Sequence, residues 1–133
     1  MNREIKFRAR NNKCWIYCDA IINGWAILNE NGGIAKINPE TVGQYTGIDD
    51  KNGKEIYEGD IIRCKKYVGG NFVDYCIENG FVEFKNGEFG LNRKQGYYQS
   101  LKNFLEYDYE LEVTGNVWED SDLLNDSENT KSN

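Results

Sequence analysis

Residues Gln44 to Ile62 read Q-Y-T-G-I-D-D-K-N-G-K-E-I-Y-E-G-D-I-I. The pattern is strand, turn, strand, tight turn, strand. Asp50, Asn52 and Gly53 mark the first turn, where a short polar side chain or a glycine tolerates positive φ. Glu58, Gly59 and Asp60 mark the second. Ile56 and Tyr57 lie between them, and Ile61 and Ile62 open the next strand. This stretch predicts a chain of short, tightly turned strands and carries no recognisable reaction chemistry.

Upstream, Ile5, Phe7 and Ala9 alternate with Lys6, Arg8 and Arg10. That is period two, a strand with one buried and one basic face. Asn11, Asn12 and Lys13 form a turn, and Trp15 to Tyr17 resume a strand, so the pair predicts a hairpin. Residues 21–35 are weakly patterned. Asn23-Gly24 and Asn31-Gly32-Gly33 are turn signals, the second joining Trp25–Leu28 to Ile34–Ile37. Pro39 is expected to break that run.

Downstream, strands are expected over Ile61–Val68, Phe72–Ile77 and Phe81–Phe84. Asn86-Gly87 between two aromatic runs is the clearest hairpin signal, since that dipeptide suits the type I′ turn. Tyr97–Leu105 fits a strand or a single helical turn, with Ser100 as a cap. In the closing strand, Glu110 to Trp118, Leu111, Val113 and Val117 share one face and Glu110, Glu112, Thr114 and Trp118 the other. Gly115 falls on the buried side, which predicts a bulge or a close backbone approach. About nine short strands result. The expected class is all-β, an irregular antiparallel barrel or sandwich with at most short helical turns. One domain is expected over residues 1–124, followed by a disordered polar tail over 125–133.

The formal net charge is −6 and is unevenly placed. From Glu106 onward there are nine acids and one base; residues 1–105 hold fifteen bases and thirteen acids. A dedicated DNA binder carries a strong excess of Lys and Arg, so this balance argues against one. Cys14, Cys18, Cys64 and Cys76 make no C-x-x-C pair, and the chain has no His to complete a mixed zinc site. No metal or other cofactor is expected. No run of about 18 apolar residues and no secretory leader is evident, so no membrane span, reduced thiols and a cytoplasmic location in the host cell are expected.

Four segments together resemble the YopX family: M-N-R-E-I-K-F-R-A at the start, the Gln44–Ile62 stretch, V-E-F-K-N-G-E-F, and E-V-T-G-N-V-W-E-D-S-D-L-L at the close. These are small proteins encoded by phages and prophages. The resemblance runs from Arg3 to Leu124. It implies irregular, bent β-sheets and a phage-related origin, and it supplies no catalytic residues.

The residues themselves point the same way. An EF-hand loop with Gly53 at its sixth position would put Ile48 first and Gly59 twelfth, and neither supplies a side-chain oxygen. The pairs Asp49/Asp50 and Glu58/Asp60 could serve acid–base chemistry, but each sits beside a glycine turn. The backbone-shaping set is Tyr45, Gly47, Asp50, Gly53, Tyr57, Gly59, Asp60 and Gly115. Cys64 and Cys76 are expected in the core. Lys94-Gln95-Gly96 lacks the spaced glycines of a phosphate loop. Two surfaces are candidates for binding. Arg8 and Arg10 beside Trp15 could engage nucleic acid by charge and stacking, and Tyr97 with Tyr98 could form a protein interface. The expected function is non-enzymatic binding of a protein partner or of a second copy, with a nucleic-acid role in replication or its control as the alternative.

Overall fold

The computed structural model describes residues 4–28, 32–68, 70–74, 80–93, 98–106, 109–120 and 122. Tyr97, Cys76, Lys94-Gln95-Gly96 and the tail at 125–133 lie outside them. One domain was expected over 1–124; the chain groups into two compact units, Met1–Ile48 and Asp49–Asn133.

The first unit contains β1 (Phe7–Arg10), β2 (Trp15–Cys18), β3 (Ala20–Ile22), β4 (Trp25–Leu28), β5 (Gly33–Lys36) and β6 (Asn38–Asp49). β1 lies between β2 and β6, antiparallel to both. The turn from β1 to β2 is held by Asn11, whose Oδ1 accepts from the amides of Lys13 and Cys14 at 2.7 and 2.8 Å. β3, β4 and β5 form a separate antiparallel meander. Ala9, Cys18, Ala26 and Ile37, drawn from both sheets, are the buried centre of the unit, with Phe7, Ile16, Ile21 and Leu28 packed around them.

The run does break just ahead of Pro39, β5 ending at Lys36, but a new strand, β6, begins at Asn38 and passes through the proline. The β1–β6 register slips between Arg8, which faces Gly43, and Arg10, which faces Asn38. Proline is tolerated at such an irregularity because no ladder donor is needed there. The Thr41 hydroxyl fills the gap: it accepts from the Arg10 amide at 2.7 Å and donates to the Asn38 carbonyl at 2.7 Å.

The second unit contains β7 (Glu55–Tyr57), β8 (Asp60–Val68), β9 (Asn71–Asp74), β10 (Gly80–Lys85), β11 (Glu88–Arg93), β12 (Tyr98–Ser100), α1 (Leu101–Glu106) and β13 (Tyr109–Asn116). The sheet order is β12-β11-β10-β8-β13, with β9 also on β8. Its core includes Ile56, Ile61, Ile62, Cys64, Val82, Leu91, Leu101, Phe104 and Leu111. Directly facing pairs supply much of it, Val82 with Leu91 and Leu111 with Cys64. Leu101 and Phe104, three apart on α1, bury one helical face, and Phe104 meets Tyr109 edge-on at 5.2 Å. The ambiguous segment thus resolves into both alternatives, a short strand and then a helical turn. At the β10–β11 hairpin Asn86 (φ 54°) and Gly87 (φ 82°) both adopt the left-handed region that a type I′ turn requires.

The class is all-β, with three antiparallel sheets. Among the described residues none of them closes into a barrel, so the open, sandwich-type alternative holds. Thirteen strands are described rather than nine. The sequence count falls short in pieces such as β3, three residues in a weakly patterned stretch, too short for a period-two signal to stand out.

Candidate functional site

The first corner of the second unit is built on Asp50. The carboxylate is buried, with one oxygen accepting from the amides of Asn52 and Lys54 at 2.8 and 2.9 Å. Its other oxygen accepts from Val113, 63 positions away, at 3.0 Å. The Lys51 amide donates to the Leu111 carbonyl at 2.9 Å. Lys51 Nζ reaches Glu110 at 3.5 Å and Glu112 at 3.9 Å. The turn therefore docks along β13. Burial pushes the Asp50 carboxyl up. The amides of Val113, Lys54 and Asn52, helped by the Lys54 charge, outweigh that and hold its pKa below the ordinary value.

The second corner is built on Gly59 and Asp60. Gly59 stands at φ 89°, where any side chain would strain. Its N–H donates to Val82 and its carbonyl accepts from Val117, both at 2.8 Å. Asp60 is 1% exposed and accepts the Tyr57 amide at 2.8 Å, closing the turn on itself. Tyr45, Gly47, Gly53 and Tyr57 sit in the strands and turns that lead through this stretch. The Asp49/Asp50 pair is split, Asp49 exposed and Asp50 buried. Among the described residues no three Cys, Asp or Glu side chains gather where a metal ion could be held.

Gly115 sits at a bulge: the β13–β8 register slips between Val113 and Gly115. It is also a close approach. A Cβ there would lie 2.6 Å from the Asp120 Oδ2, which folds back to accept the Asn116 amide at 3.1 Å. The extra residue also corrects the expected faces of this strand. Thr114 is exposed, on the outer face expected for it, whereas Asn116, not expected inside, is 8% exposed. One inserted residue reverses the alternation beyond it. Asn116 then organises the chain end, its Oδ1 accepting from Trp118 and Glu119 at 3.0 Å each.

The basic face of β1 differs from expectation. Arg8, on the basic and not the apolar side of the alternation, is nevertheless only 4% exposed. Its guanidinium lies 4.4 Å from the Trp15 ring centre, while Arg10 stands 5.9 Å away on the same ring. The indole covers Arg8; a guanidinium is weakly hydrated for a cation and so tolerates an aromatic lid better than an ammonium would. Lys6 approaches the Tyr45 ring at 5.4 Å. Tyr17, facing Arg8 across the strand pair, is exposed. Of the tyrosine pair, only the backbone of Tyr98 is described, in β12 facing Asn92.

Sequence reasoning missed the outer face of the β3-β4-β5 meander. Ile22 faces Trp25, which faces Lys36; Ala20 faces Ile27, which faces Ile34. Ile22, Trp25 and Ile34 are 58%, 39% and 59% exposed. The opposite face, through Ile21, Ala26 and Leu28, belongs to the core. The signal was present in A-I-I-N-G-W-A-I-L, where apolar residues occupy both parities of short strands. A meander covered on one side has no internal use for the second set.

Of the thiols, Cys14 is exposed, and Cys18 and Cys64 are buried; none of the three is in a disulfide. Burial raises the Cys18 pKa, with the Asp19 charge adding to it against backbone hydrogen bonds that lower it. That suppresses its thiolate and its reactivity.

These features define a small all-β protein whose glycine-and-carboxylate corners rivet strands together and which exposes a cluster of large apolar side chains on one sheet face. The family model described as YopX protein matches residues 3–125, and the chain belongs to the YopX family. No curated protein matches it.

Proposed function

We propose that this chain is a non-enzymatic accessory protein, of the phage or prophage kind its family resemblance implies. It acts in the host cytoplasm by binding a protein through the outer face of the β3-β4-β5 meander. One observation carries this: two cross-strand rows put Ile22, Trp25, Ile27 and Ile34 on one face, three of them exposed. Large apolar side chains clustered on a rigid sheet mark interaction surfaces, with Trp the commonest anchor. The nucleic-acid alternative is weakened by the burial of Arg8, whose guanidinium is covered by Trp15. Among the described residues no helix is long and apolar enough to cross a membrane.

The test is a photoreactive phenylalanine analogue placed at position 25 or 34, with exposed position 102 as control. Protein adducts are expected from 25 and 34 and not from 102. Equal labelling at all three, or none at 25 and 34, refutes the proposal. A steep fall of oligonucleotide binding with salt, abolished by removing Arg10, would establish the alternative instead.

A further inference from the structure

We infer that the turn from Asp50 to Gly53 is a guard on the outer edge of β13, and that β13 uncovered pairs antiparallel with β13 of a second copy. The inference does not depend on the meander face. In the sheet order β13 stands last, with β8 on one side of it. A strand in that position presents amides and carbonyls on its other side, ready to receive another strand. On β13 a turn takes them. The Leu111 carbonyl accepts the Lys51 amide at 2.9 Å, and the Val113 amide donates to Asp50 Oδ2 at 3.0 Å. Alternation along an antiparallel strand then fixes the outward side. The backbone groups of Leu111 and Val113 point away from β8, and those of Glu110 and Glu112 point toward Lys65 and Arg63. Asp50 thus supplies a side-chain oxygen where an added strand would supply a carbonyl, and Lys51 supplies the amide such a strand would bring.

The side chains of β13 form a second guard against the same pairing. Whether Leu111 meets Leu111 or Val113 of the second copy, glutamate meets glutamate. Glu110 faces Glu112 in the first register, and Glu112 faces Glu112 in the second. Like charges directly opposite each other oppose pairing. In the folded chain Lys51 answers both, its Nζ 3.5 Å from Glu110 and 3.9 Å from Glu112. The turn that covers the backbone therefore also balances the charge, and lifting it leaves both carboxylates facing their counterparts. Native proteins blunt an edge with a covering loop or with charge, and β13 carries the two together. The strand behind these guards is well suited to pairing. It is eight residues long, it has no proline, and Tyr109, Val113 and Thr114 are strong strand formers. An edge that pairs with its own copy closes on a two-fold axis, so the product is a dimer.

The experiment is sedimentation equilibrium of the full chain and its variants, with amide exchange followed across the same concentrations. Asp50→Ala/Lys51→Pro removes both contacts to the edge; proline suits the second position of a turn and has no N–H to give Leu111. Asp50→Asn keeps the shape and is run beside it, in case the double variant does not fold. Val82→Ala, in the core of the same unit, is the control for lost stability with the edge still covered. Both Asp50 variants are expected to associate at least about tenfold more tightly than wild type. Their Leu111 and Val113 amides are expected to exchange fast when dilute and to become protected as the dimer forms. Val82→Ala is expected to associate no more than wild type. Adding Glu110→Gln/Glu112→Gln to an Asp50 variant is expected to tighten its dimer a further threefold or so, about the effect of relieving one or two like-charged pairs. A folded Asp50 variant that associates no more than wild type overturns the inference. So does association that leaves Leu111 and Val113 unprotected, or that Val82→Ala shows equally. Looser dimers on removal of the two glutamates would mean that they do not oppose the pairing, and overturn the assigned register.

Discussion

Replacing Asp50 with Asn changes one oxygen to an amino group and keeps the shape. The carboxylate accepts three backbone amides, from Asn52, Lys54 and Val113 at 2.8 to 3.0 Å, while almost fully buried. An Asn oxygen can still serve the two turn amides, but its NH2 then meets the Val113 N–H, donor against donor. A hydrogen bond to a charged group contributes about 1.5–3 kcal/mol, and the two remaining bonds lose their charge assistance. The expected loss is therefore about 2–4 kcal/mol at neutral pH, a large share of a domain's typical 5–15 kcal/mol. The sign of the pH dependence follows from the lowered pKa of Asp50 in the fold. Its stabilisation is complete above the unfolded value, near 3.8, and drains away as pH falls below that through the folded value. Urea unfolding at pH 7 and pH 3 should show a wide gap between wild type and Asp50→Asn that narrows at the lower pH. Amide exchange at Val113 should accelerate in the variant even where global unfolding is slow. A variant within about 0.5 kcal/mol of wild type at pH 7, or a gap unchanged on acidification, would show that the carboxylate does not rivet this corner.

Gly115→Ala should cost about 1–3 kcal/mol, because its new methyl would meet Asp120 at 2.6–2.9 Å. The same substitution should cost less in an Asp120→Ala background, which removes the two nearer of the three close atoms. Additive losses in the double mutant, read by thermal unfolding, would refute the close-approach account. Thr41→Val keeps the shape but strands the Arg10 amide and the Asn38 carbonyl, which the hydroxyl joins at 2.7 Å each. A loss of about 1–3 kcal/mol is expected, with faster amide exchange at Arg10. Unchanged protection there would mean the hydroxyl does not bridge the slip in the β1–β6 ladder.

Turns were the legible part of this sequence. Asn86-Gly87, Asp50 to Gly53 and Glu58 to Asp60 were readable because each turn closes on itself within four or five residues, whatever it bonds beyond. Positive φ calls for Gly or Asn, and a short carboxylate can accept the amides that follow it. Gly115 was readable as an anomaly, a residue without a side chain on the buried face of a strand. Period-two patterns between such turns were enough to establish an all-β chain.

Partners far along the chain were not legible. Nothing near Asp50 announces Val113, and nothing near Arg8 says that Trp15 will cover it rather than stack on a ligand. The reversed phase at Asn116 depends on the bulge, which depends on pairing with β8. The exposed rows on the meander became visible once three strands were set in register and one face was seen to be covered. Local backbone preference is written residue by residue, whereas burial and hydrogen-bond partnership depend on which strands meet, and only the folded chain decides that.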